Sequence, residues 1–162
     1  MNYKFRQSID PSEINKVMEV ASSFGGNEEE LTRIKAYIET ELVELGENRI
    51  LFILSQGIKT VGIVQLLTKR ADEDPDLADG KSTAHVHALQ IAKDHQRKGL
   101  GLMMMQELEV FAEISGFTRL TLGVDGDNDG ALKLYEKLGY KRLKEAEGRE
   151  TSIPLFYLFK DL

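Results

Sequence analysis

Two consecutive junctions between a strand and a helix constrain the fold more than any other feature of this sequence. In the first, the apolar segment 84–92 runs into the sequence QRKGLG at 96–101, which opens a helix. In the second, the segment 117–124 runs through a short loop into a helix that ends at Gly139. Strands joined through helices indicate an α/β domain. Junctions of this kind also present backbone N–H groups to an anionic ligand.

The first junction has the chemistry expected of a pyrophosphate site. Gly99 and Gly101 allow the backbone to approach a ligand closely, and the helix N-terminus behind them has a partial positive charge. Arg97 and Lys98 add two full charges. The GxxxxGK[ST] pattern is absent, and a third glycine does not follow Gly101 at the spacing of a dinucleotide fingerprint. Taken alone, the two glycines are weak evidence for such a site and are better explained by an ordinary tight turn.

The surrounding residues resemble the GNAT superfamily of N-acetyltransferases, which bind acetyl coenzyme A. A Gln-x-x-Gly-x-Gly turn after a strand that contains Leu89 and Ile91 resembles motif A of this family. The segment 128–140, NDGALKLYEKLGY, resembles motif B, and the two motifs occur in the family's order and spacing. The turn begins with Gln96 where arginine is commoner, although family members use both residues.

The resemblance implies how acetyl coenzyme A would bind. The segment from Lys93 to Leu102 would hold the pyrophosphate, chiefly through backbone N–H groups. The main chain of Leu89 and Ile91 would pair with the pantetheine arm, and the Ile91 N–H would polarise the thioester carbonyl. The expected cofactor contacts are Leu89, Gln90, Ile91, Gln96, Arg97, Lys98, Gly99, Leu100, Gly101, Leu102, Asn128 and Tyr135. Asn128 is also a good helix cap, and the two roles are compatible.

Two histidines on the central strand are candidates for the catalytic base. An alkyl amine has a pKa of about 10, so it arrives protonated and must lose a proton before it attacks. Imidazole, with a pKa of about 6.5, is suited to accept that proton. His85 aligns with the position of a catalytic glutamate in lysine-acetylating members, and His-x-His is similar to arylalkylamine N-acetyltransferases. The alternative is that His85 and His87 only make hydrogen bonds within the sheet.

Tyr135 is the candidate general acid, because it falls on the motif B position whose hydroxyl protonates the departing thiolate of coenzyme A. Its alternative role is that of a core aromatic residue, since Leu132, Leu134 and Leu138 are its apolar neighbours. His95 lies in the glycine turn and is expected at the surface.

A calcium-binding pattern competes with motif B for the same residues. Asp125, Asp127, Asp129, Gly130 and Glu136 match the EF-hand loop in full. A strand precedes this segment, however, and the residues after Gly130 are better explained as the motif B helix. We therefore expect no bound metal.

Composition and charge limit the remaining possibilities. A chain of 162 residues is expected to form a single domain over residues 1–162. The net charge of −6 argues against a nucleic-acid partner. With no cysteine, the chain has neither disulfides nor a cysteine nucleophile. The first residues, MNYKFRQS, lack the apolar segment of a signal peptide, and no long apolar run follows, so the cytoplasm is expected and a membrane is not.

Local signals predict the order of the elements. Asp10 and Asn27 should cap the first two helices, and the second should bury Leu31, Ile34, Ile38, Leu42 and Leu45. The acidic segment 68–83 is predicted to be a mobile surface loop, with an acidic lip for a cationic acceptor as the alternative. The other predicted elements are strands at 2–8, 49–54, 58–67, 84–92, 117–124, 140–146 and 153–159, helices at 99–115 and 129–138, and a connection at 148–152.

These observations predict a GNAT-type fold, with about four helices flanking a mixed, mostly antiparallel sheet of about seven strands. The predicted activity is direct transfer of an acetyl group from acetyl coenzyme A to a primary amine in a ternary complex. The acceptor is either a small amine or a protein or peptide amine. The resemblance makes a homodimer possible. The alternative function is a non-catalytic acetyl-coenzyme-A-binding module that serves as a sensor or scaffold.

Overall fold

A seven-stranded mixed sheet forms the frame of the computed structural model, which describes residues 2–148 and 151–162. The strands lie in the order β1-β2-β3-β4-β5-β7-β6. Their bounds are β1 Tyr3–Ser8, β2 Arg49–Gln56, β3 Lys59–Leu67, β4 Thr83–Ile91, β5 Arg119–Asp125, β6 Lys141–Ala146 and β7 Leu155–Asp161. Arg149 and Glu150, in the predicted 148–152 connection, lie outside the described residues. The predicted fold class is confirmed.

The pairing of β4 with β5 differs in direction from the ladders β1/β2, β5/β7 and β6/β7. It is parallel, with Thr83 opposite Arg119 and Val86 opposite Leu122. The ladders β1/β2, β5/β7 and β6/β7 are antiparallel. Parallel neighbours need a long crossover, which is usually a helix.

Four α-helices accompany the sheet in the described residues. They are α1 Ile14–Ser22, α2 Glu28–Leu42, α3 Leu100–Ile114 and α4 Asp129–Leu138. A 3-10 helix, Pro11–Glu13, precedes α1, and its cap Asp10 accepts a hydrogen bond from the Ser12 N–H at 2.9 Å. Asn27 caps α2 by accepting from the Glu30 N–H at 2.8 Å. Both predicted caps are therefore confirmed. Within the described part of the chain, no helix is long and apolar enough to cross a membrane.

The chain forms two compact units. The first comprises the segment up to Leu66 together with Ala88–Glu107, and the second comprises Leu67–His87 together with Leu108–Leu162. In the first unit, α1 and α2 pack on β2 and β3 through an apolar cluster. Its members are Val17, Val20, Ile38, Leu42, Leu51, Ile53 and Ile63. Met104 and Met105, on α3, are also fully buried.

The predicted buried face of α2 is only partly correct. Ile38 and Leu42 are buried, but Ile34 is 40% exposed. The third buried residue of α2 is Glu41, whose carboxylate lies 3.6 Å from the guanidinium of the buried Arg49. Apolar spacing therefore predicted the burial of Ile34 wrongly, and it did not predict the buried ion pair of Glu41 with Arg49.

The acidic segment between β3 and β4 lies largely at the surface, as predicted, but several of its apolar residues are buried. Leu77 is fully buried and Ala78 is 2% exposed, and both belong to an apolar cluster of the second unit with Tyr157. Asp79 accepts hydrogen bonds from the N–H groups of Lys81, Ser82 and Thr83, each at 2.9 Å. The acidic residues tie the segment down, while the buried Leu77 anchors it.

Replacing Leu77 by alanine tests this packing. Leu77→Ala should lower the free energy of unfolding by about 2–5 kcal/mol, because it removes buried methyl groups and leaves a cavity. Ile114→Ala, at a side chain that is 81% exposed, is the control and should cost about 0.5 kcal/mol or less. Urea denaturation measures both changes. Equal effects of the two substitutions would contradict a packed segment.

Candidate active site

The glycine turn of the first unit has a backbone conformation that few residues adopt. Arg97 has a φ of +63° and Gly99 a φ of +77°. The Met103 N–H donates to the Gly99 carbonyl at 3.1 Å, so the helical hydrogen bonds of α3 begin at Gly99. The N–H groups in the first turn of a helix have no acceptor within that helix. Residues 96–99 are exposed, which leaves this turn accessible to an anion.

Three hydrogen bonds within the first unit support the turn. The Gln96 side chain donates from Nε2 to the Ile91 carbonyl at 3.2 Å. The Lys93 N–H donates to Ser23 Oγ at 3.0 Å, and the Ala92 N–H donates to the Val61 carbonyl at 2.8 Å. The first residue of the predicted turn motif therefore has a structural role, because it ties the turn to the end of β4.

His95 is buried beneath the turn, so its predicted surface position is wrong. Its side chain is 7% exposed, and its Nε2 lies 3.2 Å from Gln56 Oε1. Among the described residues, no partner reaches its Nδ1. Burial lowers the pKa of His95, and the charges of Lys98 and Lys59 lower it further. The 3-10 helix Lys93–His95 turns the imidazole inward, a consequence that the sequence pattern does not reveal.

Strand β4 has a local irregularity at Ala88, whose φ is +56°. A left-handed residue of this kind interrupts the alternation of side chains along a strand. The alternate spacing of His85, His87, Leu89 and Ile91 therefore does not by itself place them on one face of the sheet. Such strain in a non-glycine residue costs about 1–2 kcal/mol and is found preferentially at functional sites.

In the second unit, His85 is held by a chain of hydrogen bonds. It is 6% exposed, and its Nδ1 lies 2.8 Å from Oγ1 of Thr121, its partner in the parallel ladder. The Thr121 hydroxyl donates in turn to the Leu77 carbonyl at 2.7 Å. The ring of Tyr157 meets the imidazole edge to face at 6.3 Å. His87 is less deeply buried and follows the last residue pair of this ladder.

Tyr135 lies on α4 with its ring largely buried. It is 7% exposed and meets the ring of Tyr140 edge to face at 5.7 Å. The Tyr140 hydroxyl donates to Glu109 Oε2 at 3.1 Å, and Lys160 Nζ lies 2.8 Å from Glu109 Oε1. Burial raises the pKa of Tyr135 to about 12, so its hydroxyl is protonated at neutral pH.

Asn128 acts as a helix cap at the start of α4. Its Oδ1 accepts a hydrogen bond from the Ala131 N–H at 3.2 Å. The calcium-loop pattern does not survive in this geometry, because α4 already begins at Asp129 and Glu136 is an exposed helical residue. Across residues 2–148 and 151–162, no group of three or more acidic, histidine or cysteine side chains is arranged to hold a metal ion.

The predicted site residues are distributed over both units. Leu89 to Leu102 belong to the first, and His85, His87, Asn128 and Tyr135 belong to the second. Thr121 was missed, although a polar residue between Leu120 and Leu122 was a signal. Tyr140 was read only as part of motif B, and Glu109 only as part of a helix, because their contact joins residues far apart in the chain.

Comparison with known proteins identifies the family. Residues 14–140 match the model of the Acetyltransferase (GNAT) family. An acetyltransferase assigned to this family from Desulfovibrio desulfuricans has the same fold, with a TM-score of 0.77, 15% identity and 99% coverage of both chains. The PaiA N-acetyltransferase of Thermoplasma acidophilum, solved in complex with coenzyme A, has a TM-score of 0.71, with 18% identity over 100% of both chains.

One curated relative is the mouse N-acetyltransferase family 8 member 3. It is 32% identical over 87 residues, which are 54% of this chain and 36% of the mouse protein. The matched segment thus spans little more than a third of that relative. Because the family model covers most of the chain, the protein belongs to the acetyltransferase (GNAT) family.

Burial of a neutral His95 predicts that the fold weakens in mild acid. The unfolded chain takes up a proton near pH 6.5, whereas the folded protein resists that proton because its pKa is lower. Stability should therefore fall as the pH drops below about 6.5, by at most about 1.4 kcal/mol per pH unit from this group.

Urea denaturation of the wild type and of His95→Gln tests this expectation. The midpoints are measured from about pH 8 to about pH 5, a range that spans the histidine pKa. The variant should lose less stability than the wild type below about pH 6.5. Between about pH 7.5 and 8 the two slopes should agree, since the imidazole is neutral in both states. Parallel curves over the whole range would contradict a buried neutral His95.

Proposed function

We propose that this protein transfers an acetyl group from acetyl coenzyme A directly to a primary amine in a ternary complex. The observation that carries the proposal is the glycine turn at the start of α3, with its left-handed Arg97 and Gly99. Membership of the acetyltransferase family supports it. The mouse relative is by name an N-acetyltransferase, and the Thermoplasma relative was solved with coenzyme A.

The turn would bind the pyrophosphate of acetyl coenzyme A. The N–H groups of Gly99 to Leu102 would donate to its oxygens, and the exposed Arg97 and Lys98 would add positive charge. The Gln96 and Ser23 hydrogen bonds support this role, because a loop that is already ordered loses less entropy when it binds. On β4, the main chain of Leu89, Gln90 and Ile91 would pair with the pantetheine arm.

The amine would attack the thioester without an acyl-enzyme intermediate, since the chain has no cysteine. One proton leaves the ammonium for His85 or His87, directly or through water, and frees the nitrogen lone pair. As the C–N bond forms and the C–S bond breaks, Tyr135 would give its proton to the sulfur, and the second proton of the nitrogen would return Tyr135 to the phenol, directly or through water. The products are the N-acetyl amine and the free thiol of coenzyme A.

Tyr135 would supply the proton to sulfur, and Asn128 would contact the cofactor beside it. The raised pKa of Tyr135 supports the role of donor, because it keeps the hydroxyl protonated throughout the neutral range. A thiol has a pKa of about 8.5. A phenol of higher pKa therefore acts first as a hydrogen-bond donor, which transfers its proton as negative charge develops on the sulfur.

The acceptor would be an amine that is cationic before the reaction, which the net charge of −6 favours. The acidic lip proposed for the segment before β4 is weakened as a binding element, because its carboxylates already have partners. Lys144 pairs with Asp74 and Asp76, and the Tyr157 hydroxyl donates to Asp72 at 3.1 Å. Small amines and peptide amines both remain within the proposal.

Release of free thiol from acetyl coenzyme A tests the function. The panel should contain polyamines, arylalkyl amines, amino acids and lysine peptides, each assayed between about pH 5.5 and 9, the range that spans the histidine pKa. We expect turnover with one class of amine and a rate that rises through the histidine range. His85→Ala or His87→Ala should flatten that rise. Binding of acetyl coenzyme A without any turnover would favour a sensor or scaffold, and absence of binding would refute the proposal.

Removal of the Tyr135 hydroxyl tests its role as the acid. Tyr135→Phe should lower kcat by about 10²-fold or more, the usual contribution of an acid catalyst, and leave the affinity for acetyl coenzyme A nearly unchanged. Tyr3→Phe is the matched control, because the buried Tyr3 hydroxyl has no partner among the described residues. A similar kcat in the two variants would assign Tyr135 to packing alone.

A further inference from the structure

We infer that Thr121 is a positioning residue that holds His85 in the tautomer with its proton on Nδ1, which leaves the Nε2 lone pair to accept a proton from the amine. This inference rests on the proposed function, since it assumes that His85 is the base. It follows from two hydrogen bonds of a single hydroxyl group.

The Thr121 hydroxyl has one proton and two neighbours within hydrogen-bond distance. Leu77 presents a carbonyl oxygen at 2.7 Å, and a carbonyl oxygen can only accept. The hydroxyl proton must therefore point to Leu77. His85 Nδ1, 2.8 Å from the same Oγ1, must then be the donor. In the neutral imidazole the other nitrogen, Nε2, carries the lone pair.

The arrangement also suits the protonated state. When Nε2 accepts a proton from the ammonium, the ring becomes an imidazolium with N–H groups on both nitrogens. The Nδ1–H bond to Thr121 persists through this change, so the ring keeps its orientation during proton transfer. A donor in the place of Thr121 would instead stabilise the tautomer whose Nε2 already bears a proton.

The surroundings of His85 restrict its ring further. Thr121 is fully buried, and the parallel ladder sets it directly opposite His85. The Tyr157 ring lies against the imidazole, and its hydroxyl donates to Asp72. Asp74, which pairs with Lys144, interacts electrostatically with His85. Neither carboxylate is needed to assign the Nδ1 proton, because the Leu77 carbonyl determines it.

The tautomer can be read directly by NMR on the full chain labelled with ¹⁵N-histidine, with His85→Gln used for assignment. Long-range proton–nitrogen correlations distinguish a protonated from an unprotonated ring nitrogen. In the neutral wild-type ring we expect a protonated Nδ1 and a bare Nε2. The opposite pattern would overturn the inference, and this measurement does not depend on any turnover.

Kinetics test the consequence. Thr121→Val removes the hydroxyl at nearly constant volume and should shift the His85 ring toward the Nε2–H tautomer. The substitution should lower kcat at least about tenfold, because a catalytic base contributes roughly 10²–10⁴-fold to the rate. Thr121→Ser should keep the wild-type tautomer and rate. Thr60→Val is the matched control, because the Thr60 hydroxyl is also buried but has no partner among the described residues.

The outcomes separate this inference from the proposed function. Wild-type protein that binds acetyl coenzyme A but acetylates no amine would refute the function, while the NMR pattern would still decide the tautomer. If Thr121→Val has the same His85 tautomer and the same kcat as the control Thr60→Val, the positioning role of Thr121 is overturned. If Thr121→Val does not fold, the wild-type spectrum and the Thr121→Ser protein decide.

Discussion

The parallel ladder between β4 and β5 is the constraint on which the candidate site depends. Two parallel neighbours cannot be joined by a hairpin, so the chain needs a crossover, and α3 is that crossover. The glycine turn lies where the crossover begins. The same ladder sets His85 opposite Thr121, and a slip of one residue would move Thr121 to the other face of the sheet. One pairing therefore determines both the start of α3 and the environment of the candidate base.

Two non-glycine residues beside this crossover have a strained backbone, as do Asp72 and Glu73 in the segment between β3 and β4. Ala88 and Arg97 are left-handed without being glycines, at a cost of about 1–2 kcal/mol each. Such residues persist only where the surrounding structure holds them. In the first unit that support comes from the buried His95, from Gln96 and from Ser23. The protein itself therefore holds the turn in shape. A loop that is ordered before it binds a ligand loses less conformational entropy on binding.

Burial controls the protonation states on which the proposed chemistry depends. Tyr135 keeps its proton because a phenolate would be poorly solvated in its position. Beside it, Tyr140 donates to Glu109, and the charge of that carboxylate is balanced by Lys160. His95 stays neutral for the same reason as Tyr135, with two lysines adding to the effect. Burial therefore has opposite effects on the two side chains. It keeps the proton on Tyr135 in the second unit, and it disfavours protonation of His95 in the first unit.

The sequence by itself determined the features that depend on neighbours along the chain. The caps Asp10 and Asn27, the bounds of α4 and the glycine turn were predicted correctly, because capping and helix periodicity act over a few residues. Tertiary structure alone decided the burial of His95, the exposure of Ile34 and the packing of Leu77. It also decided the pairing of His85 with Thr121. These depend on strand register and on contacts between residues distant in sequence, which local propensity does not encode.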